Sequence, residues 1–138
     1  MSDFSHKIFV FGTLKRMFHN HPQMCGARFV CETRTADPVF RMISMKSDSG
    51  EGLYCPAVKE RGDGFISGEV YYEISGKHLK CLDNFEDVHT GRYQRIDVNL
   101  ETGESAWMYV HVDPNEPSVE SGQVSYDNST NTYTWVLP

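Results

Sequence analysis

Two places in this chain combine residue types that can do chemistry. The first is Phe9-Val10-Phe11-Gly12-Thr13-Leu14. A short apolar run closed by glycine reads as a buried strand that stops at a tight turn. Gly12 tolerates positive φ and lets a ligand approach the backbone. The amides of Gly12, Thr13 and Leu14, beyond the last ladder bond, would then form a nest for a carboxylate or an oxyanion. The plainer alternative is a strand end and nothing more. The second place is Glu86. It follows Leu79 by seven residues and Leu82 by four, which puts it within about 20° and 40° of an apolar helical stripe. A carboxylate there is costly unless paired or neutralised, and the C-terminal end of a helix disfavours negative charge. Both effects push a carboxyl toward neutrality, which suits a general base that later acts as an acid. The alternative is that Glu86 lies past the helix end and pairs with Arg92 or Arg95.

Other constellations are weaker. His19 and His21, with Cys25 nearby, supply too few ligands at recognisable spacing for a structural metal, so no metal is expected. Cys25, Cys31, Cys55 and Cys81 include no Cys-x-x-Cys pair. Without a basic start and apolar stretch at the N-terminus, they read as free buried thiols in a reducing cytoplasm. Arg61-Gly62-Asp63-Gly64 reads as a turn.

The elements that must position these residues belong to a chain of 138 residues, the length of a single domain spanning 1–138. No apolar run approaches the roughly 20 residues of a membrane span. All 13 Lys and Arg lie within residues 1–95, where the net charge is +1; the last 43 residues carry 7 acids and no base. Nucleic acid and anionic membranes are therefore not expected as partners, since binding them needs clustered cations. Strands are expected over residues 7–11, 27–36, 38–45, 65–74, 92–100 and 105–112, with an edge strand or bulge at best over 53–58, where Pro56 interrupts. Gly68 marks a bulge or the close passage of another group. Asn20 is placed to cap a brief helix from Pro22 to Gly26, and Ser75 to cap an amphipathic helix over 76–86 that buries Leu79, Leu82 and Phe85. The polar loop 46–52 should be exposed. Residues 113–138 read as an acidic, mostly loop-like extension, anchored by Tyr133, Trp135, Val136 and Leu137. Strands dominate without regular alternation with helices, which predicts α+β: a small mixed β-barrel of about six short strands flanked by one or two helices.

Phe9-Val10-Phe11-Gly12-Thr13-Leu14-Lys15-Arg16 followed by Asn20-His21 resembles the N-terminal signature of the γ-glutamylcyclotransferase-like family. Gly68-Glu69-Val70-Tyr71, then Leu82-Asp83-Asn84-Phe85-Glu86, then Tyr93-Gln94-Arg95, resembles the block carrying that family's catalytic Glu. Order and spacing are most similar to the γ-glutamylamine cyclotransferase branch, over roughly residues 7–112. The resemblance implies a mixed barrel whose Gly-Thr-Leu loop and Glu face one cavity. It also implies release of an amine from an L-γ-glutamyl amide, such as γ-glutamyl-ε-lysine, with closure of the glutamyl part to 5-oxoproline. Glu86 would be the catalytic base and acid; Phe11, Gly12, Thr13, Leu14, Pro56 and Tyr93 would line the substrate site, with Cys55 and Ala57 beside Pro56 on the far wall and Tyr93 orienting Glu86. No cofactor is implied, and the expected partner is a small γ-glutamyl substrate bound to a monomer or weak dimer. Alternatives are a cyclotransferase acting on γ-glutamyl amino acids, glutathione or a γ-glutamyl biosynthetic intermediate, and a non-catalytic metabolite-binding protein. Three departures stand out: Phe11 replaces the commoner Tyr, Met17 stands where Gly is common, and Asp87 follows the Glu where many members have Gly.

Overall fold

Ile8, Phe9 and Val10 are all buried, so the first strand (β1, His6–Val10) is covered on both faces. A continuous apolar run is what such a position demands. In the computed structural model, which describes residues 6–18, 20–46, 54–86, 88–112 and 118–137, β1 lies inside a mixed eight-stranded sheet. It runs antiparallel to β4 (Tyr54–Ile74) and parallel to β6 (Ser105–His111). The others are β2 (Arg28–Arg34), β3 (Phe40–Lys46), β5 (Tyr93–Asn99), β7 (Val124–Asp127) and β8 (Thr132–Trp135), with one α-helix, α1 (Gly76–Phe85). His19, Asp87 and the expected loop after Lys46 fall outside the described residues. Among those described, no helix is long and apolar enough to cross a membrane.

β4 organises the sheet. Its first part pairs with β3, its later part takes β1 and β2, and between them Phe65 and Ile66 pair in parallel with β8. Among the described residues, 54–58 pair on one side only, with β3, as an edge strand does, but Pro56 does not interrupt them: it sits inside the β3–β4 ladder opposite Ser44. Arg61-Gly62-Asp63-Gly64, expected as a turn, is instead part of β4. The register jumps from Lys59–Arg41 to Gly64–Phe40, so one long strand bulges there and continues. Gly62 permits it: a Cβ would lie 2.3 Å from the Phe40 backbone. Gly68 fits its expected role, because a Cβ there would meet Val10 O at 2.4 Å.

The C-terminal segment is also more than an extension. β7 and β8 form an antiparallel hairpin, and Trp135 is buried in the main core with Phe9, Val58 and Met108. That brings the strands among the described residues to eight, against about six expected. The sheet curls without closing into a barrel; an isolated bridge between Thr35 and Leu100 joins the ends of β2 and β5. Of the terminal anchors expected, Leu137 is half exposed. The four cysteines are free as expected but not buried: Cys25 and Cys81 are exposed, Cys31 and Cys55 partly so.

On one side of the sheet, Leu79 and Leu82 of α1 pack with Ile8, Val10, Ile74 and Tyr109. Ser75 caps the helix as expected, its Oγ accepting from His78 N–H at 3.0 Å. Phe85 departs from the expected buried stripe and is 37% exposed. It is the last helical residue, and it borders an open cavity instead of the core.

Candidate active site

β1 ends at Val10 and the chain turns at once. The carbonyls of the turn are spent inside it: Gly12 O accepts from Lys15 N–H at 3.0 Å, Thr13 O from Asn20 N–H at 3.1 Å, and Leu14 O from His21 Nδ1–H at 3.0 Å. Among the described residues, none of the loop's own backbone bonds uses the amides of Gly12, Thr13 or Leu14 as donors. Gly12 does not use the positive φ open to it. Glycine is required for a different reason: a Cβ would sit 2.3 Å from Pro56 Cγ. Asn20 likewise does not cap the short 3₁₀ turn His21–Met24; its Nδ2 donates to Thr13 Oγ1 at 2.9 Å and so braces the loop. Lys15 Nζ donates to Trp135 O at 2.8 Å, tying the loop to β8, and burial holds its pKa below the usual lysine value.

Glu86 stands at the C-terminal cap of α1, half buried, its N–H bonded to Leu82 O at 2.9 Å. The turn that carries it is fastened to the sheet through Asp83. Tyr109 O–H donates to Asp83 Oδ1 at 2.7 Å, and Arg95 Nη2 donates to Oδ2 at 3.2 Å. Arg95 therefore answers Asp83. Burial, then the bond to Asp83, raise the Tyr109 pKa far above the usual phenol value, and the charges of Asp83 and Glu86 add to this. Tyr109 thus stays protonated and a donor. Asp83→Asn should put an amide NH₂ against Arg95 and cost about 1–2 kcal/mol, since the pair is partly exposed. A lower urea midpoint at unchanged m checks this.

The loop and the helix end face one cavity of about 200 Å³. Phe11, Gly12, Thr13, Leu14, Pro56, Tyr93 and Glu86 all line it, as does Cys55, whereas Ala57 is not among its lining residues. Six further lining residues escaped the sequence reading of the site: Phe9, Val10, Asn20, Phe85, Arg92 and Tyr109. Arg92 was weighed only as a surface partner for Glu86, and Tyr109 only as a strand residue. Their place in the cavity depends on how β5 and β6 pack beside α1. Among the described residues lining it, Glu86 is the one acid and Arg92 the one base; most of the rest are aromatic or apolar. The volume lies below the roughly 300–1,000 Å³ of drug-sized pockets, which suits a small ligand.

The AIG2-like gamma-glutamyl cyclotransferase family model matches residues 8–128. The chain belongs to this family. It is 29% identical, over 83% of its length and 92% of the relative's, to a Methanocaldococcus jannaschii protein whose name places it provisionally among the gamma-glutamylcyclotransferases. It is 30% identical to gamma-glutamylaminecyclotransferase C of Danio rerio, over 70% of this chain and 63% of that one. Its fold matches the crystal structure of an AIG2-like mouse protein, with a TM-score of 0.60 at 25% identity over 95% of this chain and 96% of the other. The α+β, mixed-sheet architecture is thus the fold of this family.

Proposed function

We propose that this γ-glutamylcyclotransferase-family chain converts an L-γ-glutamyl amine, with γ-glutamyl-ε-lysine as the model substrate, to 5-oxoproline and the free amine. The observation that carries this is the meeting of Glu86 with the Gly12–Leu14 turn in one small cavity. The substrate supplies its own nucleophile. Its α-nitrogen attacks the γ-carbonyl carbon, a C–N bond forms within a five-membered ring, and the original amide C–N bond breaks. Ring closure is entropically easy once the glutamyl chain is held folded. Two protons leave the α-nitrogen and two arrive at the departing amine, with Glu86 carrying them as base and then acid. The amides of Gly12, Thr13 and Leu14 hold the developing oxyanion or the α-carboxylate. Phe11, Pro56 and Tyr93 shape the walls, and Tyr93 is assigned the orienting of Glu86. The chemistry calls for neither metal nor cofactor.

The names of the relatives cover both γ-glutamylamines and the wider γ-glutamyl class, so the leaving group is the finer question. Purified protein would be incubated with γ-glutamyl-ε-lysine, several γ-glutamyl amino acids and glutathione, with 5-oxoproline and free amine quantified together. The expected ranking puts the γ-glutamylamine first by kcat/KM. A γ-glutamyl amino acid or glutathione in first place would replace the amine reading with the broader one.

A further inference from the structure

Glu69 is a buried carboxylate that the reaction outlined above does not use. It lies on β4 opposite Val10 and is 5% exposed. Its side chain reaches past the end of β1 to the site loop. Oε1 accepts from Arg16 N–H at 2.9 Å and from Tyr71 O–H at 3.0 Å, and Oε2 accepts from Arg16 Nε–H at 3.1 Å. The Arg16 guanidinium also stacks on the Phe29 ring at 3.6 Å and pairs with Glu32 at 3.1 Å. Burying a carboxylate is unfavourable unless its acceptor sites are filled, and here three donors fill them. Those donors do not titrate away. Burial and the bond to Glu69 push the Tyr71 pKa well above the phenol range, and the same carboxylate raises that of Arg16.

Arg16 follows directly on the turn that lines the cavity. That turn is seated at Gly12 against Pro56 and at Lys15 on Trp135 O. Glu69 supplies the next fixed point, and it grips the backbone amide as well as the side chain. We infer that Glu69 is a positioning residue, which sets the Gly12–Leu14 amides for the substrate while touching no substrate itself. This rests on the catalytic reading above. A residue needed only for folding would leave turnover of the folded protein unchanged; a positioning residue would not.

The test is Glu69→Gln, which keeps the shape, removes the charge and sets an NH₂ against Arg16 Nε–H. Hydrogen exchange would be followed over residues 11–18 and over α1, and kcat and KM measured well below the unfolding midpoint. The expected result is exchange about tenfold faster in 11–18 with α1 unchanged, and kcat/KM down about 10- to 100-fold. The limb of the pH–rate profile set by Glu86 should stay where it is. Unchanged exchange in the loop would overturn the inference. So would a loosened loop with kcat/KM within twofold of wild type. If Glu69→Gln does not fold, Arg16→Ala decides, because that side chain is 44% exposed and its loss spares the core: faster loop exchange with kcat/KM about three- to tenfold down supports the inference, and no change in either overturns it. If the wild type forms no 5-oxoproline from any γ-glutamyl compound, the catalytic reading falls and the positioning role falls with it; the exchange data then show only whether Glu69 fixes the loop.

Discussion

Glu86→Gln is expected to cut 5-oxoproline formation by about 100- to 10,000-fold, the range for loss of a positioned general base or acid. Gln preserves the size of the side chain at the helix cap, so stability and substrate binding should change little. The loss should fall on kcat and not on KM, because the proton is moved only as the transition state forms. Wild-type kcat/KM should rise with pH along a limb that is missing in the variant. A binding protein that had lost turnover would instead be stabilised by ligand, form no product, and be indifferent to this substitution. A drop of less than about tenfold would remove Glu86 from the role of base.

Gly12→Ala should be nearly as damaging by another route. The added Cβ would lie 2.3 Å from Pro56 Cγ and 3.0 Å from Cδ. Pro56 is buried in the β3–β4 ladder, so the loop must move. A shift on the order of 1 Å costs about 100-fold in rate where reacting groups must be aligned, and overpacking costs about 1–3 kcal/mol of stability. Pro56→Ala removes both clashing carbons. In the double variant, Gly12→Ala with Pro56→Ala, much of the lost rate should return, and a double-mutant cycle on kcat/KM would measure the coupling. Additive losses would mean that the close packing of Gly12 on Pro56 is not what sets the loop.

The parts of the fold that were legible in the sequence are those with an uninterrupted period. The run from Ile8 to Phe11 announces a buried strand, and Ser75 with Leu79 and Leu82 announces α1. What was hidden lies where local composition argues against the element that forms. Pro56, Gly62 and Gly64 break the pattern of β4, yet each sits where the ladder needs no donor, a close backbone approach or a register jump. The β7–β8 hairpin is masked by polar composition. Its signal was Asp127-Asn128-Ser129, whose Asp Oδ1 accepts from Ser129 N–H at 2.9 Å and from its hydroxyl at 2.7 Å, an Asx turn between Tyr126 and Tyr133. The site divides in the same way. Gly12–Leu14 and Glu86 carry recognisable chemistry in their residue types. Arg92 and Tyr109 do not, because only the pairing of β5 with β6 and the Asp83 anchor bring them to the cavity. At Gly12 the sequence offered two reasons for glycine, φ freedom and close approach to the backbone; the structure shows a close approach, but by Pro56, and no positive φ.

The most direct test of the central claim is to incubate purified protein with γ-glutamyl-ε-lysine and count 5-oxoproline against released lysine, wild type beside Glu86→Gln. Equimolar product from the wild type, and at least 100-fold less from the variant, is the expected result. No 5-oxoproline from folded wild-type protein, or equal amounts from both proteins, would contradict it.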